Sequence, residues 1–187
     1  GVNELSVRSL GARPFVFCGA IGPVPLAADM ARRVTAIALA LTAEFELRGL
    51  CSLDFMHDGD AIGVLEVNPR PPASMSLYPR PAGSEGLMQA HLRACLQGEL
   101  PRATPSHAQD IEGMEIVFAP RPLQLDEAAA RQLAAWPGIR DLPDAGQRFD
   151  ADDPLCTLSA SAGSVLQVRT LLNEGRGRLL QSLETLA

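Results

Sequence analysis

Two apolar runs, 50–56 and 61–68, flank the turn His57-Asp-Gly-Asp60, and each carries one acid in its interior. Asp-Gly between apolar runs is a strong hairpin signal. Asp54 sits between Leu53 and Phe55, and Glu66 between Leu65 and Val67. Acids are depleted from strand interiors, so both positions demand a reason. In a hairpin they become cross-strand neighbours. Asn68 lies two residues after Glu66 and therefore shares its face. Two acids on an open sheet can also simply meet water. The flanking segments Leu-Asp-Phe-Met and Val-Leu-Glu-Val argue against that, because they hold no other polar residue to define a solvent face.

Two carboxylates and an amide oxygen make a hard-oxygen set that repels itself without a cation. Mg²⁺ takes such ligands and completes its shell with water and nucleotide phosphates. Arg70 follows after Pro69, and its planar guanidinium suits a phosphoryl group or acyl phosphate.

The remaining pattern predicts an α+β chain. Strands are expected over 4–10 and 14–18 around a turn at 11–13. A long amphipathic helix is expected over 26–47, with Met30, Val34, Ile37, Leu41 and Phe45 at helical spacing and Gly49 as its terminator. The segment 69–83 holds five prolines and is expected to be loop. A helix over 86–96 follows. A polar stretch over 99–110 suggests a boundary, dividing the chain into 1–110 and a small α/β appendage over 111–187. The appendage is expected to hold strands at 114–119 and 155–160. Its helices are expected at 126–136 and 164–183, the last weakened by Gly175 and Gly177.

Composition narrows the function classes. The net charge is −6, which argues against a general nucleic-acid or membrane-surface binder. All 16 basic residues are arginine, so no lysine chemistry comes from this chain. The four cysteines form no C-x-x-C pair and read as reduced core residues of a cytoplasmic protein. His57 reads as a turn residue. His91 and His107 offer no ligand spacing. Asp150, Asp152 and Asp153 read as a solvated turn, and 159–164 is no nucleophile elbow.

Glu66-Val-Asn-Pro-Arg70 with an upstream strand Asp resembles the metal-binding signature of the ATP-grasp superfamily. The likeness extends to the opening Gly1-Val-Asn-Glu-Leu-Ser-Val7, the helix from Leu26, Arg48-Gly-Leu-Cys-Ser-Leu-Asp54 and His91-Leu-Arg-Ala-Cys-Leu-Gln-Gly98. It covers about residues 1–100 and weakens beyond 110. The resemblance implies the C-terminal lobe of that fold, mainly antiparallel sheet packed with helices. It implies Asp54, Glu66 and Asn68 as ligands to Mg (or Mn) bridging ATP phosphates, and Arg70 as the catalytic residue. Ser74 and Arg80 become candidates for holding the substrate carboxylate. The implied reaction activates a carboxylate as acyl phosphate and joins it to an amine or similar nucleophile.

Family members hold phosphates partly with lysines and build the adenine pocket upstream of the part resembled here. The chain is therefore expected to be the C-terminal part of a larger enzyme, its partners being the missing N-terminal ATP-grasp domains and small-molecule carboxylate and amine substrates. On its own it is expected to bind ATP weakly and to be inactive. A homodimer stays open. So does the alternative of a non-catalytic ligand- or partner-binding remnant, or one half of a split enzyme.

Overall fold

The computed structural model describes residues 1–59, 61–78, 85–101 and 110–184. The elements run β1 (Glu4–Leu10), β2 (Arg13–Gly22), α1 (Ala28–Glu44), β3 (Ser52–His57), β4 (Ile62–Asn68) and a 3₁₀ turn (Ala73–Leu77). They continue α2 (Leu87–Gln97), β5 (Ile111–Phe118), β6 (Leu123–Gln124), α3 (Glu127–Ala135), β7 (Ile139–Arg140), β8 (Arg148–Phe149), β9 (Pro154–Ala162) and α4 (Val165–Glu184). The class is α+β, with antiparallel sheet packed by helices, as the sequence implies. The chain forms two compact units: Gly1–Val24 with Ala108–Ala187, and Pro25–His107.

The first unit is built on a five-stranded sheet of order β1-β2-β5-β9-β7, antiparallel throughout. Its strands do not follow the expected boundary at residue 110. Gly19–Gly22 of β2 pair with Glu112–Glu115 of β5, so the first hairpin and the last eighty residues share one sheet. A polar, proline-bearing stretch of sequence carries no information on which strands pair across it.

Helix α4 lies on this sheet, and Val168, Leu172 and Leu179 are buried with Val117, Leu155 and Leu158 in one core. The close approach depends on two missing side chains. A Cβ at Gly113 would stand 2.4 Å from Val168 Cγ1, and one at Gly175 would stand 2.6 Å from Leu158 Cδ2. Gly175 is thus a packing requirement of α4 rather than a weak point in it. Asp126 caps α3 by accepting a hydrogen bond from the Ala129 amide at 2.8 Å. Ala129 and Leu133 then point into the core. Asp126→Ala is expected to cost about 1 kcal/mol, read as a lowered urea midpoint with an unchanged slope.

Cys156 is 3% exposed in the same core. Burial first, and Asp141 second, push its thiol up from 9.0 to about 12. The folded state therefore holds this proton where the unfolded chain releases it. The resulting stability is complete below pH 9 and is lost as pH rises towards 12. Cys156→Ala is expected to flatten the stability profile across that window, which unfolding curves recorded from pH 8 to 11 would check.

The second unit contains α1, the β3–β4 hairpin, the 3₁₀ turn and α2. Helix α1 ends earlier than its apolar spacing suggests. The Leu47 amide bonds to Thr42 O at 3.0 Å and the Glu46 amide to Ala43 O at 3.4 Å, with Glu46 at φ 48°. This is a Schellman closure in which Glu46, not Gly49, takes the left-handed position. Phe45, expected on the core face, is 60% exposed. Between the prolines the chain makes one 3₁₀ turn, with Leu77 2% exposed. The proline-rich segment is therefore not loop throughout. Pro71 and Pro72 lie outside the turn, where their missing amides cost nothing.

Candidate functional site

The hairpin register places Asp54 directly across from Glu66 and Ser52 directly across from Asn68. Alternation along each strand then puts Ser52, Asp54, Glu66 and Asn68 on one face. Ser52 is the residue that sequence reasoning missed, although its spacing of two from Asp54 was a sufficient signal. The register shifts after Asp54, where Phe55 meets Val64, leaving Leu65 as the extra residue of a bulge. Without that bulge Val64 would share the face of Glu66. With it, Val64 joins Leu53, Phe55 and Val67 on the other face. Bulges of this kind re-aim side chains at sites.

The turn is held by Asp58. Its Oδ1 accepts from the Ala61 amide at 3.0 Å, and its own amide bonds to Ala61 O at 3.3 Å. The Asp-Gly signal thus closes the hairpin that pairs the two acids. Asp54 and Asn68 are half-buried, and Glu66 is exposed. Among the described residues, neither carboxylate has an ion-pair or side-chain hydrogen-bond partner. Like charges set directly opposite on a sheet repel, and a divalent cation among these oxygen donors removes that repulsion. In chemistry the donor set is of the hard-oxygen kind that Mg²⁺ or Mn²⁺ takes.

Arg70 follows the end of β4 and is exposed, and it makes no ion pair with Asp54 or Glu66. Ser74 lies half-buried in the 3₁₀ turn. Arg80 and His107 lie outside the described residues. His91 does not act as a free surface group: its Nδ1 accepts from the Leu50 amide at 2.9 Å, fastening α2 to the chain just ahead of β3. Two of the four cysteines are not core residues either, since Cys51 and Cys95 are only half-buried.

The first unit holds an open cleft of about 520 Å³ at the start of α3, lined by residues including Gln124, Asp126 and Gly146. It contains none of the expected site residues. Among the described residues, no helix is long and apolar enough to cross a membrane.

Residues 2–74 match the family model of the ATP-grasp domain. That span includes the hairpin and its four face residues. A sequence search of curated proteins finds no match. Solved structures do resemble the chain. An L-amino acid ligase from Bacillus licheniformis aligns with TM-score 0.65 at 14% identity, over 88% of this chain and 44% of its own. A phosphoribosylglycinamide synthetase from Anaerococcus prevotii aligns with TM-score 0.66 at 10% identity, over 92% of this chain and 46% of its own. An N5-carboxyaminoimidazole synthase from Aspergillus clavatus, solved with ADP and 5-aminoimidazole ribonucleotide, aligns with TM-score 0.60 at 14% identity. That match covers 94% of this chain and 46% of its own. The chain spans under half the length of these structures. Residues 2–74 thus match the ATP-grasp domain model, and most of the chain shares the fold of these structures.

Proposed function

We propose that this chain is the C-terminal part of an ATP- and Mg-dependent ligase that activates a carboxylate as acyl phosphate and joins it to an amine. The observation that carries this reading is the cross-strand pair Asp54–Glu66, with Asn68 on the same face and no cationic partner among the described residues. Mg²⁺ (or Mn²⁺), bound with ATP, supplies neutralisation of phosphate charge.

The chain's own residues then divide the work. Asp54, Glu66 and Asn68 hold oxygen donors at fixed positions on a two-stranded scaffold, so little reorganisation accompanies the reaction. Arg70 offers a forked cation where charge develops on the transferred phosphoryl group. Ser74 and Arg80 hold the substrate carboxylate. In the first step a carboxylate oxygen bonds to the γ-phosphorus and ADP departs. In the second an amine bonds to the acyl carbon and inorganic phosphate departs. The ADP-bound relative supports a nucleotide at this fold, and the L-amino acid ligase supports carboxylate–amine joining as its chemistry.

The chain supplies no lysine, so lysines that hold nucleotide phosphates come from domains outside these residues. The test is phosphate release by the longer protein, screened over carboxylate and amine pairs, with Glu66→Ala as control. Turnover that depends on both substrates and vanishes in the variant is expected. Turnover retained in Glu66→Ala contradicts the metal assignment. A protein inert to every pair, yet binding a carboxylate ligand, points instead to the non-catalytic reading.

A further inference from the structure

The second unit also gathers two thiols and an imidazole around the turn 48–51. The Arg48 carbonyl oxygen lies 3.7 Å from the Cys51 sulfur and 3.7 Å from the Cys95 sulfur, accepting from both thiols. Two sulfurs that share one oxygen are neighbours. The Cys95 sulfur also lies 3.8 Å from each ring nitrogen of His91. His91 Nδ1 accepts from the Leu50 amide, which leaves the ring proton on Nε2. Gly49, at φ +74°, lets the turn lie flat against α2. A Cβ there would stand 2.4 Å from His91 Nδ1 and 2.7 Å from the Cys95 sulfur. Cys51 and Cys95 are half-buried and within reach of small reagents, whereas Cys18 and Cys156 are buried.

We propose that Cys51 and Cys95 are a dithiol pair that closes to an intrachain disulfide, with a low-molecular-weight disulfide such as oxidised glutathione as co-reactant. One protein thiolate attacks a glutathione sulfur, forming a mixed disulfide and releasing one glutathione thiolate. The second protein thiolate attacks the protein sulfur of that mixed disulfide and releases the second. Two protein thiols are oxidised, the reagent disulfide is reduced, and the two thiol protons end on the two glutathione molecules. Burial first, and the neighbouring Cys95 second, push the Cys51 thiol up. That suits Cys51 to the second step, where proximity offsets a small thiolate fraction. Bringing the sulfurs to bonding distance requires side-chain rotation about the shared oxygen.

The bridge would tie α2 to the residue just before β3, the strand that carries Ser52 and Asp54. The closed loop, 51–95, contains every candidate site residue. Oxidation would therefore act on the site-bearing segment without occupying the carboxylate face, and the proposal stands independently of the ligase reading.

The test treats the folded 187-residue chain with oxidised glutathione, blocks remaining thiols, cleaves after arginine and weighs the peptides without reduction. Proline follows both Arg70 and Arg80, so cleavage skips them, leaving Cys51 on 49–93 and Cys95 on 94–102. A single species joining these two peptides is expected. Dithiothreitol should dissolve it, and both Cys51→Ser and Cys95→Ser should abolish it, with Cys18 and Cys156 left as thiols. Stable glutathione adducts on Cys51 or Cys95 without the joined species would overturn the proposal. So would a bridge found only between two chains or only after denaturation.

Discussion

Glu115→Ala is expected to lower the unfolding free energy of the chain by about 3 kcal/mol, the scale of breaking a buried ion pair. Among the described residues, Glu115 is the buried charged residue of the first unit, 7% exposed in the middle of β5. Arg8 from β1 and Arg176 from α4 both donate to its Oε1. Its removal leaves two guanidinium groups side by side, with the Arg8 Nε already buried and without a partner. The three residues come from the first strand, the central strand and the last helix, so the loss loosens the whole unit. A typical domain holds only about 5–15 kcal/mol in total, which makes the change easy to read as a drop in urea midpoint. Glu115→Gln keeps an acceptor and should cost clearly less. Equal midpoints for wild type and Glu115→Ala would mean that water already solvates both arginines and that the cluster does not brace the unit.

The second large effect falls on activity. Glu66→Gln in the longer protein is expected to lower kcat on the order of a thousandfold, the cost of losing one preorganised charge-stabilising group. The same substitution removes the repulsion between residues placed directly opposite in the hairpin. In metal-free buffer it should raise stability by up to about 1 kcal/mol, the scale of one cross-strand pair. These opposite signs separate a ligand role from a structural one. A residue that merely braces the hairpin would lose stability and activity together. Asp54→Asn should behave alike, because it is the other half of the pair.

The face shared by Asp54, Glu66 and Asn68 was legible in the sequence because its determinants are local. Asp58 and Gly59 define the turn, and strand alternation then fixes which side chains share a face. The bulge at Leu65 was not legible, since it is set by the register of both strands together. The apolar spacing of α1 was visible, but its end was not. Glu46 adopts a left-handed conformation that its residue type disfavours, and Gly49 is needed instead for contact with α2. The long-range pairing of β2 with β5 left no local trace, so the expected division at residue 110 cut through a sheet. Gly175 reads as a weak point in isolation, and it becomes a packing requirement, together with Gly113, only when α4 lies on β5 and β9.

The claim that the hairpin face is a divalent-cation site is tested most directly by adding Mn²⁺ to the isotope-labelled chain and following paramagnetic broadening of its backbone amides. Broadening centred on Ser52, Asp54, Glu66 and Asn68, and lost in Glu66→Gln, is the predicted result. Broadening that leaves these residues sharp and gathers at the acidic turn Asp150–Asp153 would contradict it.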